Sequence, residues 1–281
     1  MSRLRFDLHA VGVLAPGLVS LADLRAACRS GQPPAPAALV LPSPAMLPAN
    51  ERRRASTVVR LALACIEQAL QTSPFPAETL RSVFATDEGT GEVCQQMLES
   101  LVGTGQVSPL LFTNSVHNAP SGYFSIALRN RQSATVVSLG LESFASGLLC
   151  AVSEAAVLHQ PVLLACYDPA MTAPLDELLP VTEPTATAWI LSAPSLDGSV
   201  NEGSVNEGPV PALGSFELQL EPGDQRQATP LPGWLPAAWH GHGSAQALAA
   251  LGLLEAAADA CHRMTLGGQL LSLRRLDRRA P

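Results

Sequence analysis

Residues Ser133–Leu149 read SATVVSLGLESFASGLL. The β-branched and apolar run Ala134–Leu139 makes a buried strand, Gly140 supplies a tight turn, and Ser143 opens an apolar helix to Leu158. Such an elbow aims backbone N–H groups and a helix N-terminus at whatever lies above it, which stabilises a thiolate or an oxyanion. A cysteine or serine there would be a nucleophile. This turn is not GxSxG, and Glu142 opposes an anion at that place. Ser143 reads more readily as a helix N-cap than as a nucleophile. Cys150, nearly two turns into the helix, reads as a packing thiol.

Outward from the elbow, strands and helices alternate. Strands are expected at Leu4–Val13, Arg81–Ala85, Pro161–Tyr167, Thr185–Ser192, Phe216–Leu220 and Gln269–Leu276, and Ser108–Asn118 reads as loop and strand-like. Helices are expected at Leu21–Arg29, Glu51–Gln71, Glu92–Leu101, Ala119–Asn130 and Ser244–Met264. The strands lack polar alternation, as in a central sheet covered on both faces. Strand–helix–strand alternation implies a largely parallel sheet, so the fold class is α/β with five to seven strands and five helices. The segment TDEGTGE after Ala85 is not a phosphate loop, because Asp87, Glu88 and Glu92 would repel phosphate; it reads as a tight strand-to-helix turn. An exact tandem pentapeptide, SVNEG at Ser199–Gly203 and Ser204–Gly208, marks 195–215 as an exposed loop.

The chain of 281 residues is 47% hydrophobic and 15% charged, which fits a packed globule and excludes disorder. All 17 basic residues are arginine and the net charge is −7, with no basic stripe for nucleic acid. The six cysteines form no CxxC pair, as expected of reduced thiols in the cytoplasm. The N-terminus lacks the apolar run of a signal peptide, and no apolar segment is long enough to span a bilayer.

Six histidines offer bases for a thiol or serine mechanism. His240-Gly-His242 lacks nearby acidic or cysteine ligands and reads as a surface loop, so no metal site is expected. His117, just before a helix, is the more interesting imidazole. Ser143, Asp168 and His240 occur in the chain order of an α/β-hydrolase triad, but no HGG-type oxyanion loop accompanies them.

Ser108–Asn118 (SPLLFTNSVHN), the helix carrying Gly122, Arg131 before a strand, and Ser143-Phe-Ala-Ser-Gly together resemble the N-terminal half of a β-ketoacyl synthase, a thiolase-type fold. In active members the last element reads roughly Thr-Ala-Cys-(Ser/Thr)-Ser-Gly, and its cysteine takes the acyl chain. Matching the Ser-Gly pair places Phe144 at the position of the missing nucleophile. Active ketosynthases are longer and carry two histidines in a second half, in a His-Gly-Thr-Gly-Thr motif and a later Gly-His motif. The first has no match here, and Gly241-His242-Gly243 is a faint echo of the second. A short chain without the cysteine resembles the chain-length-factor type of subunit, and specifically the short N-terminal-domain proteins linked to aryl-polyene lipids.

The resemblance is best over 81–168, within a single domain spanning 1–281 whose 216–281 part is less defined. It implies a non-catalytic subunit in a heterodimer with an active β-ketoacyl synthase, which brings acyl carrier protein to the complex. The partner performs decarboxylative Claisen condensation, and this chain needs no cofactor. Phe112, His117, Asn118, Tyr123, Phe124, Val136, Val137, Ser143 and Phe144 are the candidates for the interface and the partner's acyl tunnel, with Tyr123 and Phe124 either closing that tunnel or filling this chain's own core. Two alternatives stand beside this: a serine hydrolase or acyltransferase using Ser143, and a homodimer that holds an acyl ligand without chemistry.

Overall fold

The computed structural model describes residues 3–179, 181–194 and 212–277. The tandem pentapeptide and Arg278–Arg279 lie outside these residues. One sheet of eight strands, in the order β3-β2-β4-β5-β1-β6-β8-β7, runs through the molecule. Its strands are β1 Arg3–Leu14, β2 Arg81–Ala85, β3 Ala134–Val137, β4 Val162–Asp168, β5 Thr185–Ser192, β6 Gly214–Glu221, β7 Cys261–Leu266 and β8 Gln269–Arg275. The helices are α1 Leu21–Ser30, α2 Ala49–Arg54, α3 Thr57–Gln71, α4 Gly91–Thr104, α5 Pro109–Asn114, α6 Ala119–Leu128, α7 Ser143–Leu158 and α8 Gly243–Leu251.

The central strands separate two cores by simple alternation. Along β4, Val162, Leu164 and Cys166 join one core, while Leu163, Ala165 and Tyr167 join the other. The first core is closed by α7 and α8 and contains Phe144, Leu148 and Leu248. The second is closed by α3 and α6 and contains Val59, Leu63, Ile66 and Phe124. Burial on both faces explains why these strands read as unbroken apolar runs. Gly147 lets α7 sit close on the sheet: a Cβ there would lie 2.8 Å from the Ala85 side chain and 3.1 Å from that of Leu164.

The α/β class holds, but the sheet is not mostly parallel. Among the described residues only β2–β3 and β2–β4 pair in parallel; β4–β5, β1–β5, β1–β6, β6–β8 and β7–β8 are antiparallel. Strand direction depends on how a connection crosses the sheet, which apolar runs do not record.

Three segments differ from their sequence-based expectation. The helix expected over Glu51–Gln71 is two, because Ala55 is extended (φ −66°, ψ 127°) and the next helix starts after Ser56. Ser and Thr there start a helix more readily than they continue one. Ser108–Asn118 contains α5, opened by Pro109 and by the Ser108 hydroxyl, which accepts the Leu110 N–H. The helix expected over Ser244–Met264 ends at Leu251, followed by a 3-10 turn at Gly252–Glu255 and then β7. His262 and Met264 are buried while Arg263 between them is exposed, a period of two. Gly267 and Gly268, at φ 56° and 74°, make the two-residue hairpin turn to β8.

Contrary to expectation, one stretch, Gly140–Leu158, is by length and composition long and apolar enough to cross a membrane. It holds α7, whose Phe144, Leu148, Ala151, Val152 and Ala155 are packed in the first core.

Candidate functional site: the elbow and the carboxyl pair beneath it

The turn and the helix of the elbow are as read from the sequence, but the strand before them is not buried: β3 spans only Ala134–Val137, with Ala134 exposed and the other three residues half-buried. β3 lies at the sheet edge, paired to β2 and to no other strand among the described residues. Gly140 takes φ 55°, a left-handed conformation that suits glycine. Ser143 is fully buried: its hydroxyl accepts the Leu139 N–H (2.8 Å) and donates to the Thr86 carbonyl (3.0 Å). Both bonding directions are therefore used in holding the turn. Phe144 is also fully buried, with its ring 5.3 Å from that of Trp189. Glu142 makes no cap bond to α7; its carboxylate accepts the Gly267 N–H at 2.9 Å.

Beneath the elbow, two strands end in aspartates. Asp87 follows β2, and Asp168 closes β4, at the carboxyl ends of neighbouring parallel strands. Asp168 Oδ1 accepts the Asp87 N–H (2.7 Å) and the Thr86 hydroxyl (3.2 Å), and its Oδ2 accepts the Ser244 N–H (2.8 Å). Asp87 Oδ2 accepts the Gly243 N–H at 2.8 Å. The first two amides of α8 thus cap onto two carboxyl groups, where the helix dipole favours negative charge. The Ser244 hydroxyl meets that of Thr185 on β5.

Burial raises the Asp87 carboxyl to about 8, helped by repulsion from Asp168 and less by Glu88; the Gly243 N–H acts the other way. Its Oδ1 is buried without a hydrogen-bond partner. His242, the residue preceding α8, is buried with neither ring nitrogen bonded. Burial lowers its pKa, against the attraction of Asp168 and Glu183. The imidazole of the HxH pair that enters the interior is therefore His242, not the surface His240.

The hydrolase triad is not assembled. Ser143 bonds backbone, both Asp168 oxygens are taken by other groups, and His240 is exposed. Among the interface candidates, Phe112, His117 and Asn118 are exposed, while Val136 and Val137 are half-buried. Tyr123 and Phe124 are buried in this chain's own second core, Phe124 edge-on to Phe84 at 5.9 Å. Thr86, Asp87, Ser244 and Thr185 were not singled out for a site by the sequence reading. One signal was present: two aspartates, Asp87 two residues after the apolar end of β2 and Asp168 at the end of the apolar run of β4.

The family profile described as "Beta-ketoacyl synthase, N-terminal domain" matches residues 27–215. The chain belongs to this family. Its fold is the thiolase-type fold of ketosynthases. One chain of the solved complex between the ketosynthase ApeO and its chain length factor ApeC, from Xenorhabdus doucetiae, is 22% identical with a TM-score of 0.70, covering 97% of this chain and 100% of that one. A chain of the ishigamide ketosynthase/chain length factor is 14% identical, TM-score 0.68, over 97% of this chain and 99% of that one. A ketosynthase from the bacillaene synthase of Bacillus subtilis 168 matches differently: 12% identity, TM-score 0.52, over 67% of this chain but only 37% of that one. At these identities the likeness is one of fold. A comparison with curated proteins finds no match.

Proposed function

We propose that this chain is a non-catalytic, chain-length-factor-like subunit. It pairs with an active β-ketoacyl synthase and shapes its acyl tunnel in the cytoplasmic synthesis of an aryl-polyene or related fatty-acid-like chain. One observation carries the reading: the elbow that holds the nucleophile in active relatives here holds Phe144, buried against Trp189. No cysteine lies between Ser133 and Leu149.

The surface supports a partner at the same end. Among the described residues β3 is an unpaired sheet edge, and unpaired edges template strand addition or aggregation unless covered. Leu139 and Leu141 beyond it are 55% and 54% exposed, and Phe112 of α5 is 63% exposed. Phe112, His117 and Asn118 are the contact candidates that remain at the surface. The partner supplies the cysteine and histidines and receives acyl groups from carrier protein.

Co-expression with an active β-ketoacyl synthase from the same genome tests this. The expected result is a 1:1 complex by native mass spectrometry, with condensing activity that needs both chains and is lost when the partner's cysteine is replaced. A lone chain that labels with a fluorophosphonate, with labelling lost in Ser143→Ala, would replace this reading with a hydrolase. A homodimer carrying a bound acyl ligand would replace it with a binding protein.

A further inference from the structure

Asp87 touches both the elbow and α8, which lie far apart in sequence. Its backbone carbonyl accepts the Ser138 hydroxyl, and its carboxyl accepts the Gly243 N–H 156 residues away. The neighbouring Thr86 takes the other two threads of the elbow: its N–H donates to the Val137 carbonyl (3.1 Å), and its carbonyl accepts the Ser143 hydroxyl (3.0 Å). That same hydroxyl fixes the Leu139 N–H at 2.8 Å. The elbow also meets α8 directly. A Cβ on Gly243 would fall 2.1 Å from Asp87 Oδ1 and 3.0 Å from the Gly140 carbonyl oxygen. The unpartnered carboxyl oxygen, the Gly140 carbonyl and the first residue of α8 therefore share one notch.

We propose that Asp87 is a positioning residue that couples the N-terminus of α8 to the elbow loop Ser138–Glu142, so that the exposed Leu139–Leu141 pair shifts with the charge on this buried carboxyl. Burial and the neighbouring Asp168 favour the protonated carboxyl, which accepts from Gly243 through Oδ2. Loss of that proton places an anion against the Gly140 carbonyl oxygen, which repels it, and draws the Gly243 N–H closer. The loop and the helix start then move apart within the notch. The groups facing Asp87 are Asp168 from β4, Glu88 in its own loop, the Ser143 hydroxyl of α7 and the Gly243 N–H of α8; Asp168 in turn acts on His242, as does Glu183. Where Leu139 and Leu141 dock on a ketosynthase, as proposed above, Asp87 tunes that docking edge.

The experiment uses the chain alone, so its outcome does not depend on the partner reading. Backbone amide shifts are followed by NMR from about pH 6 to about pH 10, a span that brackets the transition. The Gly243 and Leu139 amides are expected to titrate together with one midpoint near 8. In Asp87→Asn, an uncharged isostere, neither moves over this range. A Leu139 amide that stays still while Gly243 titrates would overturn the coupling. Titration that persists in Asp87→Asn would overturn the role of Asp87. The wild-type titration decides the first point even if the variant does not fold. A failed partner reading would leave these shifts unchanged.

Discussion

Single side chains decide what this elbow does. Ser143 spends its hydroxyl on two backbone groups. Ser143→Ala strands a buried N–H and a buried carbonyl, and is expected to cost about 1–3 kcal/mol of stability in urea unfolding. Asp87 and the buried histidines set the pH dependence. The Asp87 pKa rises from 3.8 to about 8, so the folded state holds a proton that the unfolded chain releases. Its contribution is full at low pH and is lost as pH rises towards about 8, with a slope of at most about 1.4 kcal/mol per pH unit. Burial lowers His262 from 6.5 to about 4, which removes stability as pH falls through that window. The lowered pKa of His242 has the same sign. The opposing slopes offset each other below about 6.5, and Asp87 acts alone from there to about 8. Unfolding free energy is therefore expected to fall from about pH 6.5 towards pH 8. In Asp87→Asn, urea unfolding at a series of pH values is expected to show that alkaline fall flattened.

Among the elements, α6 and α5 divide the tasks that their sequences left open. Phe124 of α6 is 1% exposed and packs on Phe84, so Phe124→Ala is expected to destabilise the isolated chain by about 3–5 kcal/mol. Phe112 of α5 is 63% exposed, and Phe112→Ala is expected to leave stability within about 0.5 kcal/mol while weakening the complex. Urea unfolding of the chain and titration of the complex separate the two. The seat of α7 is equally specific. Gly147→Val forces a branched side chain into the space of Ala85 and Leu164, an overpacking of about 1–3 kcal/mol that also displaces the elbow. Elements written in local pattern were legible: α7 from Ser143 to Leu158, β2 from Arg81 to Ala85 and β5 from Thr185 to Ser192 all match their expected bounds. The β7–β8 hairpin was not, because an alanine- and leucine-rich run masks the place where period 3.6 gives way to period two at His262–Met264. The Gly267-Gly268 pair was the available signal.

For the whole molecule, the unpaired β3 edge and the apolar side chains beyond it are the exposed liability. The isolated chain is expected to self-associate with rising concentration in analytical ultracentrifugation. Replacing Leu139 and Leu141 by aspartate should suppress this, and should also abolish co-purification with a ketosynthase. Sequence alone determined the two-sided apolar strands, the elbow and the lack of a cysteine in it, because each depends on residues close together in the chain. Tertiary structure alone decided the mixed strand directions, the inward place of His242 and the clasp of Asp87 and Asp168 on α8. The Asp87–Gly243 bond joins residues 156 apart, and the Asp168–Ser244 bond joins residues 76 apart. A carboxyl group finds its donor only after the sheet has brought two strand ends under one helix, and nothing in the neighbouring residues records which helix that is.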